Sequence, residues 1–308
     1  MSHPKDFISI ADWSTEELTK ILELAMSQKR ALKSDGKLPA AKAGKVLACI
    51  FHKPSLRTRV SFEVAIRQLG GSSLYITERE IGLGSREAPQ DVARVLERYV
   101  HGIMIRTFDH DHVTLLGRSA PRIPVVNGLT DLLHPCQVMA DLQTIWEHKG
   151  GLEGLKVVYV GDGNNMANSW INAAARFPFE LVVCNPGGFE PDAAVLENAR
   201  RINPDLPYTN ETDPAAAVDG ADVIYTDVWA SMGQEDDAAR RQEIFRPYQV
   251  NQSLLGKTGK KDTIVMHCLP AHRGDEITDE VIDGLQSVVF DEAENRLHAQ
   301  RAILSVLM

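Results

Sequence analysis

Nine short apolar runs, most of them rich in β-branched residues, recur along the chain and end in polar, Gly or Pro punctuation. They cover residues 46–51, 73–76, 103–105, 124–126, 157–160, 181–184, 223–225, 264–266 and 288–290. Runs this short and this apolar read as strands buried on both faces, the signature of a parallel sheet. Segments of helical period separate them. In residues 14–33 the spacing predicts a helix, with Ser14 and Glu17 as a capping box ahead of Leu18, Ile21, Leu22 and Ala25. Strands alternating with helices give an α/β protein with mostly parallel sheets.

A length of 308 residues allows one large domain or two of about 150 residues, each with its own core. The glycine-rich stretch 149–154 follows a helix-like segment (136–148) and precedes a fresh strand, so it reads as a joint. The expectation is two doubly wound domains, 1–149 and 150–291, with the active site in the cleft between them. The amphipathic segment 292–308 is expected to pack back on the first domain. Glu235, Asp236, Asp237, Arg240 and Arg241 read as one solvated helix face.

Composition narrows the class. A net charge of −9 argues against a nucleic-acid binder, because phosphate contact needs a basic surface. No apolar run approaches the roughly 18 to 20 residues that span a bilayer. The first six residues lack the apolar core of a signal peptide. Cys49, Cys136, Cys184 and Cys268 form no CxxC pair, so neither a disulfide framework nor a zinc ribbon is indicated. A cytoplasmic, enzyme-sized protein is expected.

In open α/β sheets, ligands bind beyond the carboxyl ends of the strands. After the first run comes His52-Lys53-Pro54-Ser55-Leu56-Arg57-Thr58-Arg59, leading into a helix. A Ser at a helix start, with free N–H groups behind it and Arg and Thr beside it, suits an anion. A plain helix cap with exposed arginines is the simpler reading of that segment alone. Arg106 directly follows the third run, and His134 and Gln137 flank a helix start after the fourth, able to offer a donor and an amide to one small ligand. In the second half, Gly161-Asp162-Gly163-Asn164-Asn165-Met166 begins like a dinucleotide fingerprint, but Met166 stands where a third glycine belongs. Two asparagines opening a helix suit a carboxylate better. Asp227 and Ser231 lie four apart after the 223–225 run, spaced to hold an ammonium group. His267-Cys268-Leu269-Pro270 follows the 264–266 run; a buried Cys beside a chain-turning Pro is its plain reading. A zinc set drawn from His134, Cys136, His267 and Cys268 lacks ligand spacing. Together the halves describe an anion pocket facing an amino-acid pocket, without a metal cage, a carboxylate pair or a Ser-His-Asp order.

These segments resemble the carbamoyltransferases over essentially the whole chain, and within that family the ornithine enzymes. The motifs concerned are 55–59, 134–137, 227–233, 267–270 and Glu292-Ala293-Glu294-Asn295-Arg296. The resemblance implies carbamoyl transfer from carbamoyl phosphate to the δ-amine of L-ornithine, giving citrulline and phosphate for arginine biosynthesis, with no cofactor and no metal. It implies that Ser55, Arg57, Thr58 and the Leu56 backbone hold the phosphate, with Arg106 and Arg296 neutralising charge. Arg106, His134 and Thr58 would polarise the carbamoyl oxygen, and Gln137 and the Leu269 carbonyl would orient its NH₂. Asn165, Ser231 and the Met232 backbone would fix the ornithine carboxylate, Asp227 would take amino protons, and Cys268 would sit by the δ-amine. A homotrimer, or a multiple of trimers, is implied as well. Two positions depart from the family pattern: Leu56 where Thr is usual, and Gly82 where Gln is usual in a loop that enters the neighbouring subunit's site, with Ser85 or Arg86 as possible substitutes. The competing readings are a carbamoyltransferase for N-acetylornithine, putrescine or aspartate, and a non-catalytic binding protein of the same fold.

Overall fold

The computed structural model describes residues 5–230 and 237–308. The chain divides into two compact units, Met1–Gln143 with Glu294–Met308, and Thr144–Ala293. The first division falls inside the helix Pro135–Lys149, the second inside the helix Val289–Leu307.

In the first unit, β1 (Val46–Phe51), β2 (Ser72–Thr77), β3 (Gly102–Arg106) and β4 (Val125–Leu129) form a parallel sheet ordered β2-β1-β3-β4. β3 and β4 are buried throughout, as their apolar runs require, while β2 is an edge strand with alternating exposure. Ala48, Ile50, Ile103, Ile105 and Val125 pack with Val113 and Leu116 of the helix His110–Ser119. Ser14 and Glu17 form the expected capping box on the helix Thr15–Asp35, which buries Leu18, Ile21, Leu22 and Ala25. Phe51 pairs with Arg106, so the exits of β1 and β3 lie side by side. Chain order reverses there, β2 going to one side of β1 and β3 to the other. The pair is a topological switch point, where open α/β sheets place ligands.

The second unit repeats the device with five parallel strands: β5 (Lys156–Val160), β6 (Glu180–Cys184), β7 (Tyr208–Glu211), β8 (Val223–Thr226) and β9 (Ile264–His267), ordered β7-β6-β5-β8-β9. The switch point lies between β5 and β8, where Val160 pairs with Thr226. Val158, Val160, Ile224 and Val265 face Phe245, Leu254 and Val281 across the core.

Two expectations are corrected. Val288-Val289-Phe290 is not a strand: it opens the helix Val289–Leu307, after a single bridge that sets Ser287 beside Val265. The fifth strand is β7, a partly exposed edge whose Tyr-Thr-Asn-Glu sequence carries no apolar run. Arg241 does not belong to a solvated face; it is 7% exposed and paired with Asp162. Among the described residues, no helix is long and apolar enough to cross a membrane.

Candidate active site

At the first switch point, Ser55 caps the helix Leu56–Gln68, its Oγ accepting the Thr58 N–H at 3.2 Å and donating to Thr58 Oγ1 at 3.1 Å. The serine therefore caps one first-turn N–H of that helix. Thr58 is fully buried, and Arg296 Nη2 donates to its Oγ1 at 2.7 Å. Arg296, on the C-terminal helix, is 2% exposed; the neighbouring Asn295 accepts from Lys29 at 2.7 Å and from Gln143 at 3.1 Å. Arg106 is the last residue of β3 and is buried.

His134 precedes the helix Pro135–Lys149 and is buried. Burial, reinforced by the Arg296, Arg106 and Arg57 guanidiniums, holds its pKa well below the usual 6.5. A neutral imidazole among three guanidiniums can donate a hydrogen bond without adding a fourth charge. Gln137 Nε2 donates to Asp141 at 2.8 Å, which turns the amide oxygen the other way. Backbone bonds tie the strand exits together: His52 N–H to Arg106 O, Thr107 N–H to Leu129 O and Asp131 N–H to Phe108 O, each 2.9 to 3.0 Å. Lys53, 4% exposed, adds a side-chain tie, its Nζ 2.5 Å from Asp131 Oδ1 and 4.3 Å from the centre of the Phe108 ring. Ser55, Arg57, Thr58, Arg106, His134, Gln137 and Arg296 thus all belong to the first unit, and Leu56, 74% exposed, contributes the first helical N–H.

At the second switch point, Asn164 caps the helix Asn165–Ala174, accepting from Met166 N–H at 2.8 Å, and its Nδ2 donates to Asp227 Oδ2 at 2.9 Å. The Cys268 thiol donates to Asp227 Oδ1 at 2.9 Å. Asp227 thus accepts from both Asn164 and Cys268. A Cβ at Gly163 would lie 2.3 Å from the Glu190 carbonyl carbon, so the loop admits only glycine there. Asn165 is the first residue of its helix. Ser231 and Met232 lie outside the described residues.

Cys49, Cys136 and Cys184 are buried, and burial pushes the Cys136 and Cys184 thiols up to about 12, leaving half-buried Cys268 as the thiol open to chemistry. Asp227, His267 and Cys268 place potential metal-ligand atoms within 4.8 Å of one another. Both His267 ring nitrogens are engaged elsewhere, Nδ1 by Leu269 N–H at 2.9 Å and Nε2 by Glu276 at 3.0 Å, while Asp227 and Cys268 bond to each other. Gly82 ends the short helix Glu78–Ile81 at φ +59°, a left-handed cap that suits glycine. Arg86 bonds back to the Glu80 carbonyl and to Glu87, and Ser85 to the Gly82 carbonyl.

Comparison with known proteins decides the family. Residues 5–147 match the aspartate/ornithine carbamoyltransferase carbamoyl-P binding domain, and residues 153–307 match the Asp/Orn binding domain of the same family. The chain belongs to the aspartate/ornithine carbamoyltransferase family. Among its members, an ornithine carbamoyltransferase of Syntrophus aciditrophicus is 52% identical over 304 residues, covering 99% of both chains. The solved ornithine carbamoyltransferase from Pyrococcus furiosus is 51% identical and superposes with a TM-score of 0.94 over 98% of this chain and 96% of its own. That from Thermus thermophilus is 42% identical, with a TM-score of 0.88 over 99% of both chains.

Proposed function

We propose that this carbamoyltransferase uses L-ornithine as its acceptor, transferring the carbamoyl group of carbamoyl phosphate to the δ-amine to give L-citrulline and phosphate in arginine biosynthesis. One observation carries the donor half: buried His134, its pKa held low by burial and by the charges of Arg296, Arg106 and Arg57, belongs with a serine-capped helix start at a strand switch point. In this reading Ser55, Arg57, Thr58 and the Leu56 N–H hold the phosphate. A backbone contact at Leu56 is indifferent to the missing threonine hydroxyl. Arg106, Arg296 and His134 stabilise charge on the phosphate and on the carbamoyl oxygen, an electrostatic role that is strongest where water is excluded. Gln137, with its amide nitrogen committed to Asp141, presents its oxygen to the carbamoyl NH₂, as does the Leu269 carbonyl.

The acceptor half rests on Asp227, held by Asn164 and Cys268. Asp227 takes the amino group of ornithine, Asn165 with Ser231 and the Met232 backbone takes its carboxylate, and Cys268 lies by the δ-amine. That amine has a lysine-like pKa near ~10.4 in water, so the site must take up or create its neutral form. The Cys268–Asp227 hydrogen bond is the proposed proton route. The neutral amine attacks the carbamoyl carbon, and the tetrahedral intermediate collapses with departure of phosphate, which accepts a proton. Holding the two substrates in line supplies much of the rate. A homotrimer, or a multiple of trimers, and a cytoplasmic location belong to the same proposal; four cysteines, all present as thiols, accord with a reducing compartment.

The test is citrulline-type product formation from carbamoyl phosphate with ornithine, aspartate, N-acetylornithine and putrescine in parallel. Turnover with ornithine alone supports the proposal. Turnover with another amine keeps the donor half and discards the acceptor assignment. Binding of carbamoyl phosphate without turnover on any amine would favour a non-catalytic protein.

A further inference from the structure

The Cys268–Leu269 turn is held by groups that the transfer chemistry does not itself require. His267, the last residue of β9, is fully buried, and so is Glu276. His267 Nδ1 accepts the Leu269 N–H at 2.9 Å, and a ring nitrogen that accepts carries no proton. The proton is therefore on Nε2, which donates to Glu276 Oε1 at 3.0 Å. The same oxygen accepts the His272 N–H at 2.6 Å, and the His267 backbone N–H donates to Glu292 Oε2 at 2.8 Å. Leu269 has φ +55°, the one non-glycine residue with positive φ among the described residues.

Positive φ at leucine is costly and persists only where surrounding bonds over-determine it. Burying an imidazole and a carboxylate is also costly when an apolar pair could fill the same space. The two costs meet at one peptide. Because the peptide unit is planar, fixing the Leu269 N–H also fixes the Cys268 carbonyl and narrows where the Cys268 thiol can point. We infer that His267 and Glu276 are positioning residues for carbamoyl transfer, bracing the Leu269 backbone so that the Cys268 thiol and the Leu269 carbonyl keep one working orientation. This rests on the proposal above that Cys268 and Leu269 serve the reacting groups. Neither residue touches the substrates in this scheme; His267 acts through a backbone bond and Glu276 through His267.

The two ring nitrogens can be separated by substitution. Asparagine can set its Oδ1 near the place of Nδ1, keeping an acceptor for Leu269 N–H while losing the Glu276 link. Glutamine can set its Nε2 near that of the ring, keeping the donor to Glu276 while losing the acceptor. Wild type, His267→Asn and His267→Gln are assayed side by side for citrulline formation, with inorganic phosphate as a competitive inhibitor reporting on the donor site and circular dichroism reporting on folding. The expected result is a kcat/KM for ornithine reduced about 100-fold in His267→Gln and by less than about tenfold in His267→Asn, with phosphate inhibition unchanged in both. Equal kinetics in the two variants, a better glutamine variant, or a matching loss of phosphate inhibition would overturn the inference while leaving the parent reading intact. A folded wild type silent with ornithine would overturn the parent reading and this inference with it. Should a variant fail to fold, ¹⁵N-histidine spectra of the wild type decide: Nε2 protonated with Nδ1 bare supports the brace, and a protonated Nδ1 removes it.

Discussion

Replacing Asp162 by asparagine tests the electrostatics of the acceptor half quantitatively. Asp162 leaves β5 and is 8% exposed; Arg241, 7% exposed, donates to its carboxylate and to the Trp229 carbonyl, with its guanidinium 4.9 Å from the Phe189 ring centre and 5.3 Å from that of Phe245. Burial pushes the Asp162 pKa from the ordinary 3.8 up to about 6; Arg241 opposes the rise and the Asp227 carboxylate adds to it. A raised folded-state value means the folded chain keeps its proton after the unfolded chain has lost it. The stability contributed is fully present below about 3.8 and is lost as pH rises through about 6. At 1.36 kcal/mol per pH unit the whole span is worth about 3 kcal/mol, of which about 2 kcal/mol falls between about pH 4.5 and 7.5. The substituted amide cannot titrate, while the other groups titrate in both proteins and largely cancel in the difference. The melting temperature of Asp162→Asn should therefore gain on wild type by roughly 4–8 °C across that range, at about 2–4 °C per kcal/mol for a domain of this size. Paired thermal melts by circular dichroism at several pH values measure it. A difference that is flat with pH, or that falls as pH rises, would refute the reasoning.

Arg57→Ala should lower kcat/KM for carbamoyl phosphate by at least about 100-fold while leaving the circular dichroism spectrum unchanged; a folded variant with a near-normal rate would remove Arg57 from the mechanism. Cys268→Ser should lower kcat/KM for ornithine by about tenfold or more with phosphate inhibition intact, and unchanged ornithine kinetics would reduce Cys268 to packing. Lys53→Met removes the tie to Asp131 and Phe108 and should cost about 1–2 kcal/mol of stability, read in denaturant melts, together with a raised KM for carbamoyl phosphate. A KM equal to wild type would show that the backbone bonds between the strand exits suffice.

The strands that build both sites were legible because a parallel strand buried on both faces has to be an apolar run. Ser55, Arg106, Asp227 and Cys268 could be singled out as candidates in turn because they follow such runs, where open α/β sheets place ligands. What escaped was set by tertiary context. β7 is a polar edge strand and carries no run to read. Val288-Val289-Phe290 has strand composition but lies at a helix start, so a short apolar run could not separate the two. Arg241 sits in a charge-rich stretch that looks solvated, and only the fold brings Asp162, 79 residues away, to it. Asn164 and Asn165 are adjacent in sequence, and nothing in composition says which one the cap turns toward Asp227. The His267–Glu276 pair spans nine residues across an irregular turn and has no periodic signature.

Both divisions of the chain fall within continuous helices, at Gln143/Thr144 and at Ala293/Glu294. Most domain boundaries are exposed linkers, convenient for proteases and for gene fusion. Here neither crossing offers such a segment. A fragment cut at either place would begin or end in mid-helix with backbone groups stripped of their partners. Exchanging one half of this protein for that of a relative therefore requires junctions matched in helical phase, residue for residue, because a one-residue slip would rotate everything beyond it by about 100°.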